Sequence, residues 1–193
     1  MIDSASLDIL FRTARTHYHW LDQPVSDDEL RAIYDLMKMG PTSANSSPAR
    51  FLFLRTRAAK ERLRPALSAG NVDKAMTAPV VAIVATDPRF YESLPYLYPQ
   101  ADARSWFAGN EELAAVTAMR NGTLQGAYLM MAARAAGLDC GPMSGFDNEQ
   151  VDTEFFGAEG WKSNFLVCLG HGDPAHPSQR APRLGFDEAC RLL

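Results

Sequence analysis

The sequence predicts a single domain in which helices and β-strands are mixed, and three observations predict it. Near-continuous apolar runs at Phe51-Leu52-Phe53-Leu54, Ala78–Ala85 and Phe165–Leu169 have the length and composition of buried strands. Segments with helical spacing lie between them, some opened by a capping signal such as Ser26 with Glu29 three residues later. The 193 residues can bury a sizeable core and show no repeat, low-complexity tract or linker, so one domain spanning residues 1–193 is the simplest division.

Taken in order, residues 6–15 read as a helix with Leu7, Leu10 and Phe11 on one face. The Ser26/Glu29 capping box starts a helix that runs through Met39 and is stopped by Gly40-Pro41. Leu30, Ile33, Leu36 and Met37 point inwards, and the Met37/Met39 pair reads as core. Residues 50–55 form a strand. Arg50, Arg55, Arg57, Lys60, Arg62 and Arg64 are opposed only by Glu61, but Ala58, Ala59 and Leu63 interleave them at helical spacing without an aromatic platform. This predicts a solvated helix face and not a nucleic-acid surface.

After the Ala78–Ala85 strand, residues 90–109 carry Phe90, Tyr91, Tyr96, Tyr98, Trp106 and Phe107 with no clean period. They predict an ordered insertion, either a lid over a substrate or a surface loop tied down by aromatic packing. Residues 110–136 give the longest helix signal. Leu113, Val116, Leu124, Ala127, Tyr128, Met131 and Ala135 keep helical spacing and small residues cover the remainder, which predicts burial on more than one side. Gly137 suits its C-terminal stop. Asp147 with Gln150 opens a short helix to Phe156, Lys162–Gly170 is a further buried strand, and a Pro-rich tail leads to a final helix, Phe186 to Leu192.

Composition excludes several classes. A net charge of −4 gives no general attraction to nucleic acid or anionic membranes, and the longest apolar runs fall well short of the roughly 18–20 residues that span a bilayer. The acidic start, Met1-Ile2-Asp3-Ser4, lacks the pattern of a signal peptide. Cys140, Cys168 and Cys190 form no CxxC, so a cytoplasmic protein is expected. There is no G-x-G-x-x-G and no P-loop. His17 and His19 make an H-x-H pair without further placed ligands, so no metal site is predicted.

Two loops carry chemistry. Gly40-Pro41-Thr42-Ser43-Ala44-Asn45-Ser46-Ser47-Pro48-Ala49-Arg50 offers hydroxyls and an amide at nearly every step, held by prolines. It can serve as a plain helix stop or as a rigid polar pocket rim. Gly141-Pro142-Met143-Ser144-Gly145-Phe146 is the second. Arg15-Thr16-His17-Tyr18-His19-Trp20 and Asn71-Val72-Asp73-Lys74 add further polar groups.

These segments, in this order, resemble the FMN-dependent nitroreductase family. The first loop resembles its Pro-Ser-Ser-x-Asn-x-Gln-Pro-Trp segment, with Ser47 and Ala49 replacing Gln and Trp, and Arg15 to Trp20 resembles its Arg-Ser-x-Arg-x-Phe segment, with Tyr18 at the second basic position. Ala-Arg-Thr-His, Asp-Ala-Arg-Ser-Trp-Phe and Gly-Pro-Met-Ser-Gly-Phe-Asp are closest to its malonic semialdehyde reductase branch. The resemblance implies an α+β fold, a mixed sheet surrounded by helices, in an intertwined homodimer with FMN between subunits. It places Arg15, Thr16 and Arg183 at the flavin phosphate and ribityl chain, with Arg180 beside them. Ser43 and Asn45 of the first loop are placed against the flavin, Asn71 at the pyrimidine edge, Lys74 near N1 and O2, and Ser144 and Gly145 at N5. An ammonium suits the N1–O2 locus because negative charge settles there on reduction. NADPH or NADH would be a diffusible donor in a ping-pong scheme, no side chain need be catalytic, and the product from malonic semialdehyde would be 3-hydroxypropionate. Arg104, the cation singled out in the insertion, is the candidate for the substrate carboxylate. A broad-specificity nitroreductase or quinone reductase, and a flavin-binding module without turnover, are the alternative expectations. A hydrolase would need Ser144 or Cys140 beside His171.

Overall fold

The computed structural model describes residues 2–193. In chain order its main elements are α1 (Ser4–Leu7), α2 (Asp27–Met37), β1 (Ala49–Leu54), α3 (Arg57–Leu63), α4 (Ala69–Thr77), β2 (Val80–Thr86), α5 (Leu94–Leu97), α6 (Glu111–Ala135), β3 (Asp139–Met143), α7 (Asn148–Phe156), β4 (Lys162–Gly170) and α8 (Phe186–Ala189). The strands form one sheet in the order β1-β2-β4-β3, every neighbouring pair antiparallel. Among the described residues, parallel pairing enters only through a bridge from Thr16 to Cys140. This is the α+β class the sequence predicts. No helix among the described residues is long and apolar enough to cross a membrane.

The apolar run of β2 has a direct cause. Val80, Ala82 and Val84 pack into a core with Leu30, Ile33 and Met37 of α2 and Leu129 and Ala133 of α6. Val81, Ile83 and Ala85 pack into a second core with Leu63, Ala75, Val151 and Phe156 on the opposite face. A strand covered on both faces has no polar side, so its side-chain alternation leaves no trace in the sequence. The insertion forms a third, smaller core, in which Phe90, Leu94, Ala103 and Phe107 close on Ala114 and Ala118 of α6.

Several expectations need correcting. The first helix does not run to residue 15: after α1 the chain widens into a π-type turn over Asp8–Arg12, closed where the Thr13 N–H donates to the Asp8 carbonyl at 2.9 Å. Leu36 and Met39, expected inside, are exposed, because α2 turns only Leu30, Ile33 and Met37 towards the sheet. Lys60 is not on a solvated face: it is buried, donating to the carbonyls of Met76 and Ala78 at 2.9 and 2.6 Å at the C-terminal end of α4. Gly141-Pro142-Met143 is no loop but part of β3, where pairing with β4 overrides poor strand propensity. The final helix ends at Ala189.

The long helix is correctly bounded but faces the other way. Its small residues and two amides, Ala114, Ala118, Asn121, Gly122, Gln125, Gly126 and Ala133, are the buried ones. Cβ atoms at Gly122 and Gly126 would collide with Thr86 and Phe165, so these glycines let α6 lie close on the sheet. Leu113, Val116, Met119, Leu124 and Tyr128 are each at least 41% exposed and leave an apolar stripe facing outwards.

Candidate functional site

The N-terminal connection and the C-terminal tail converge on a cleft of about 390 Å³ lined by Arg15, Thr16, Tyr18, Arg134, Arg180 and Arg183, with no carboxylate in its lining. All four of its guanidiniums are held by backbone, Arg134 through the Leu10 carbonyl at 3.1 Å. Arg180 donates to the carbonyls of Phe11, Arg12 and Ala14 at 2.8–2.9 Å, Arg15 to those of Arg12, Thr13 and Ala14, and Arg183 to those of Ala181 and Pro182. Desolvation, then the positive charges of Arg15, Arg183 and Arg134, push the Arg180 pKa down. A cluster of like charges held without a counter-ion is an anion site in waiting.

The two walls are tied together below the cleft. The Leu21 N–H donates to the His171 carbonyl at 2.9 Å and the Asp173 N–H to the His19 carbonyl at 3.0 Å. Asp139 accepts from the Gly172 N–H at 2.9 Å and pairs with His17 Nε2 at 3.2 Å. Burial works to raise the Asp139 pKa, but its bonds to His17 and Gly172 prevail and hold it low. His17 and His19 thus serve this joint.

From the cleft a strip of polar groups continues along β3. Lys74, buried on α4, donates to the Pro142 carbonyl at 2.9 Å, and its Nζ lies 4.6 Å from the centre of the Tyr18 ring. Burial pushes the Lys74 pKa down. One turn earlier, Asn71 Nδ2 donates to the Gly145 carbonyl at 2.9 Å. A Cβ at Gly145 would lie 2.6 Å from that nitrogen, so only glycine lets the chain pass so close. The N–H groups of Ser144 and Gly145 have no protein acceptor among the described residues. The structure therefore brings Arg15, Thr16, Arg183, Lys74, Asn71, Ser144 and Gly145 into one continuous tract.

Ser43 and Asn45 stand elsewhere. Their loop crosses the buried face of α6, where Asn121 Oδ1 accepts the Ser43 N–H and Gln125 Oε1 accepts the Ala49 N–H, both at 2.8 Å. Asn45 Nδ2 donates to the Leu97 carbonyl at 2.9 Å. Ala44, Asn45 and Ser47 all have left-handed backbone, with φ of 49°, 49° and 41°. Such a conformation costs a non-glycine residue on the order of 1–3 kcal/mol and persists only where the surroundings enforce it. The Ser46 hydroxyl is buried without a partner. Asn121 and Gln125 escaped the sequence reading, although two amides at i and i+4 among small apolar residues were a usable signal. Arg134 was missed as well.

Arg104 lies on the insertion, and its guanidinium is already engaged with Glu92, at 2.7 and 2.8 Å. That pairing is the geometry of carboxylate recognition, satisfied within the chain. Burial pushes the Cys140 thiol up to about 12, which removes Cys140 as the nucleophile of the hydrolase expectation.

The sheet, its two helical layers and the tract beside β3 define an α+β domain with an arginine-lined cleft continued by a strip of polar groups. Residues 11–171 match the nitroreductase family, and the chain belongs to that family of oxidoreductases. Solved structures share the fold. The ydfN protein of Bacillus subtilis superposes with a TM-score of 0.87 at 20% identity, covering 99% of this chain and 100% of that one. A protein of Exiguobacterium sibiricum, solved in complex with FMN, gives 0.86 at 20% identity, covering 100% and 99%. CLA-ER, an enone reductase of gut-bacterial fatty acid saturation, gives 0.84 at 16% identity, covering both chains fully.

Proposed function

We propose that residues 1–193 form a single FMN-binding domain, an NAD(P)H-dependent flavin oxidoreductase working by ping-pong hydride transfer. The observation that carries this is the tract itself: a cluster of arginines without a carboxylate, joined through Tyr18 to a buried ammonium and then to two free backbone N–H groups. The donor set fits FMN from end to end. Arg15, Thr16 and Arg183, with Arg180 beside them, would hold the phosphate and ribityl chain, Lys74 and Asn71 the pyrimidine end, and Ser144 and Gly145 the region of N5. When bound, FMN supplies two-electron hydride chemistry. The chain's own part is to neutralise the phosphate, keep a cation beside the pyrimidine end, and present N–H donors where bulk is excluded by Gly145.

Titrating the apoprotein with FMN tests this. Arg15→Ala and Arg183→Ala each remove charge-assisted bonds of about 1.5–3 kcal/mol, so each is expected to weaken binding by roughly ten- to hundredfold. Wild-type affinity in both variants would remove the phosphate site.

Ser43 and Asn45 make no hydrogen bond to the tract residues within a single chain, and α6 exposes an apolar stripe on its outer face. Both features support a homodimer in which the loop of one subunit and the tract of the other share one FMN. Three free thiols, Cys140 and Cys168 buried and Cys190 exposed, support a cytoplasmic setting.

For the acceptor, the sequence segments nearest the malonic semialdehyde reductase branch support a small anionic aldehyde, reduced to 3-hydroxypropionate. The structure adds a condition: Glu92 already holds the Nε and Nη2 edge of Arg104, so a substrate carboxylate competes with Glu92 for that edge. A quinone or nitroarene meets no such competition, which favours broad reductase activity as the second reading. Rates with malonic semialdehyde and uncharged propanal, in wild type and Arg104→Ala, separate the two. The first reading expects a preference of at least tenfold for the acid, about 1.4 kcal/mol, erased by the substitution. Equal rates in the wild type would leave only the second.

A further inference from the structure

Lys74 is an unusual cation. It is 3% exposed, and among the described residues it pairs with no carboxylate. An ammonium has three donors, and here one is used, on the Pro142 carbonyl. The other neighbour of its charge is the face of the Tyr18 ring. Its backbone is fixed as tightly. The Trp20 indole N–H donates to the Lys74 carbonyl at 3.1 Å, and Cys168 Sγ lies 3.7 Å from the same oxygen. Cys168 supplies no counter-charge, because burial pushes its thiol up to about 12.

The choice of an aromatic at residue 18 then has a physical meaning. A carboxylate there would neutralise Lys74 before any ligand arrived, and a second cation would repel it. A ring face attracts the ammonium through its quadrupole and displaces water, yet leaves the positive charge uncompensated. Tyr18 also lines the arginine cleft, so it stands at the junction between the anion site and the ammonium.

We propose that Tyr18 is the positioning residue for Lys74: its ring holds the ammonium in place and dry, so that the site favours a reduced, anionic flavin over the oxidised one. This deepens the FMN reading above and rests on it. Without the ring, water reaches the ammonium and screens it, and the discrimination between the two redox states shrinks.

The test compares wild type, Tyr18→Phe and Tyr18→Ala. Tyr18 is about half exposed and its hydroxyl makes no hydrogen bond among the described residues, so truncation leaves the fold standing. Affinities for oxidised FMN and for FMN reduced anaerobically are measured for each apoprotein. Tyr18→Ala is expected to lose at least tenfold in the ratio favouring reduced FMN, equivalent to lowering the two-electron midpoint potential by about 30 mV. Tyr18→Phe, which keeps the ring, should stay within twofold of wild type. A second measurement needs no flavin: acetylation of Lys74 in the apoproteins, followed site by site by mass spectrometry, should quicken at least tenfold in Tyr18→Ala and not in Tyr18→Phe. An unchanged ratio in Tyr18→Ala, or equal losses in both variants, overturns the proposal. A wild type that binds no FMN overturns the cofactor reading and the redox half of this one, and the labelling then decides whether Tyr18 shields Lys74.

Discussion

The tract beside β3 and the loop over α6 reach a polar surface by opposite means. In the tract, ordinary elements do the placing: α4 sets Asn71 and Lys74 one turn apart, and β3 with the turn that follows it delivers the carbonyls of Pro142 and Gly145 that receive them. Its strain is low, and its arginines and backbone N–H groups remain available to a ligand. In the loop, three non-glycine residues adopt left-handed backbone within four positions, and the buried amides of Asn121 and Gln125 hold the ends. The two regions draw their stability from different sources. The tract borrows its shape from elements that would form anyway, whereas the loop exists because α6 enforces it.

The same substitution made in each region sharpens this contrast. Asn121→Leu leaves the Ser43 N–H without its acceptor and should cost about 1–3 kcal/mol by urea denaturation. Asn71→Leu should cost only about 0.5–1.5 kcal/mol, because the Gly145 carbonyl keeps the Ser68 N–H at 3.0 Å. A larger loss at Asn71 than at Asn121 would reverse the assignment of strain. The smallest effect is expected at Ser46→Ala. Its hydroxyl is buried and unpartnered, so its removal should be neutral or should stabilise by up to about 1 kcal/mol. A clear destabilisation would mean that the hydroxyl has a partner, and that the loop is held at a third point.

Much of this was legible in the sequence. The runs of β1, β2 and β4 announce buried strands because burial on both faces leaves them uniformly apolar, and Ser26 and Glu29 marked the start of α2 through a capping box that is present in full. The tract residues Arg15, Lys74, Asn71 and Gly145 were found through resemblance, and the structure brings them together. What stayed hidden depends on long-range packing. Gly141-Pro142 reads as a loop until β4 supplies its partner. Lys60 reads as a surface cation until the end of α4 arrives beside it with free carbonyls. The outward stripe of α6 and its inward glycines look interchangeable in a helical pattern, and the closeness of Thr86 and Phe165 decides between them. The engagement of Arg104 by Glu92, twelve residues away in an irregular insertion, follows no period at all.

In the homodimer proposed above, the loop and the tract are two halves of one site that meet only between subunits. The direct measurement is complementation: Asn45→Ala and Lys74→Ala chains are unfolded together, refolded, and assayed for NAD(P)H oxidation and FMN retention. If the halves come from different chains, each heterodimer carries one site with both halves intact, and random pairing restores about a quarter of the wild-type sites, above the mean of the two parents. Activity and FMN retention no greater than that mean would contradict the claim and return both halves of the site to a single chain.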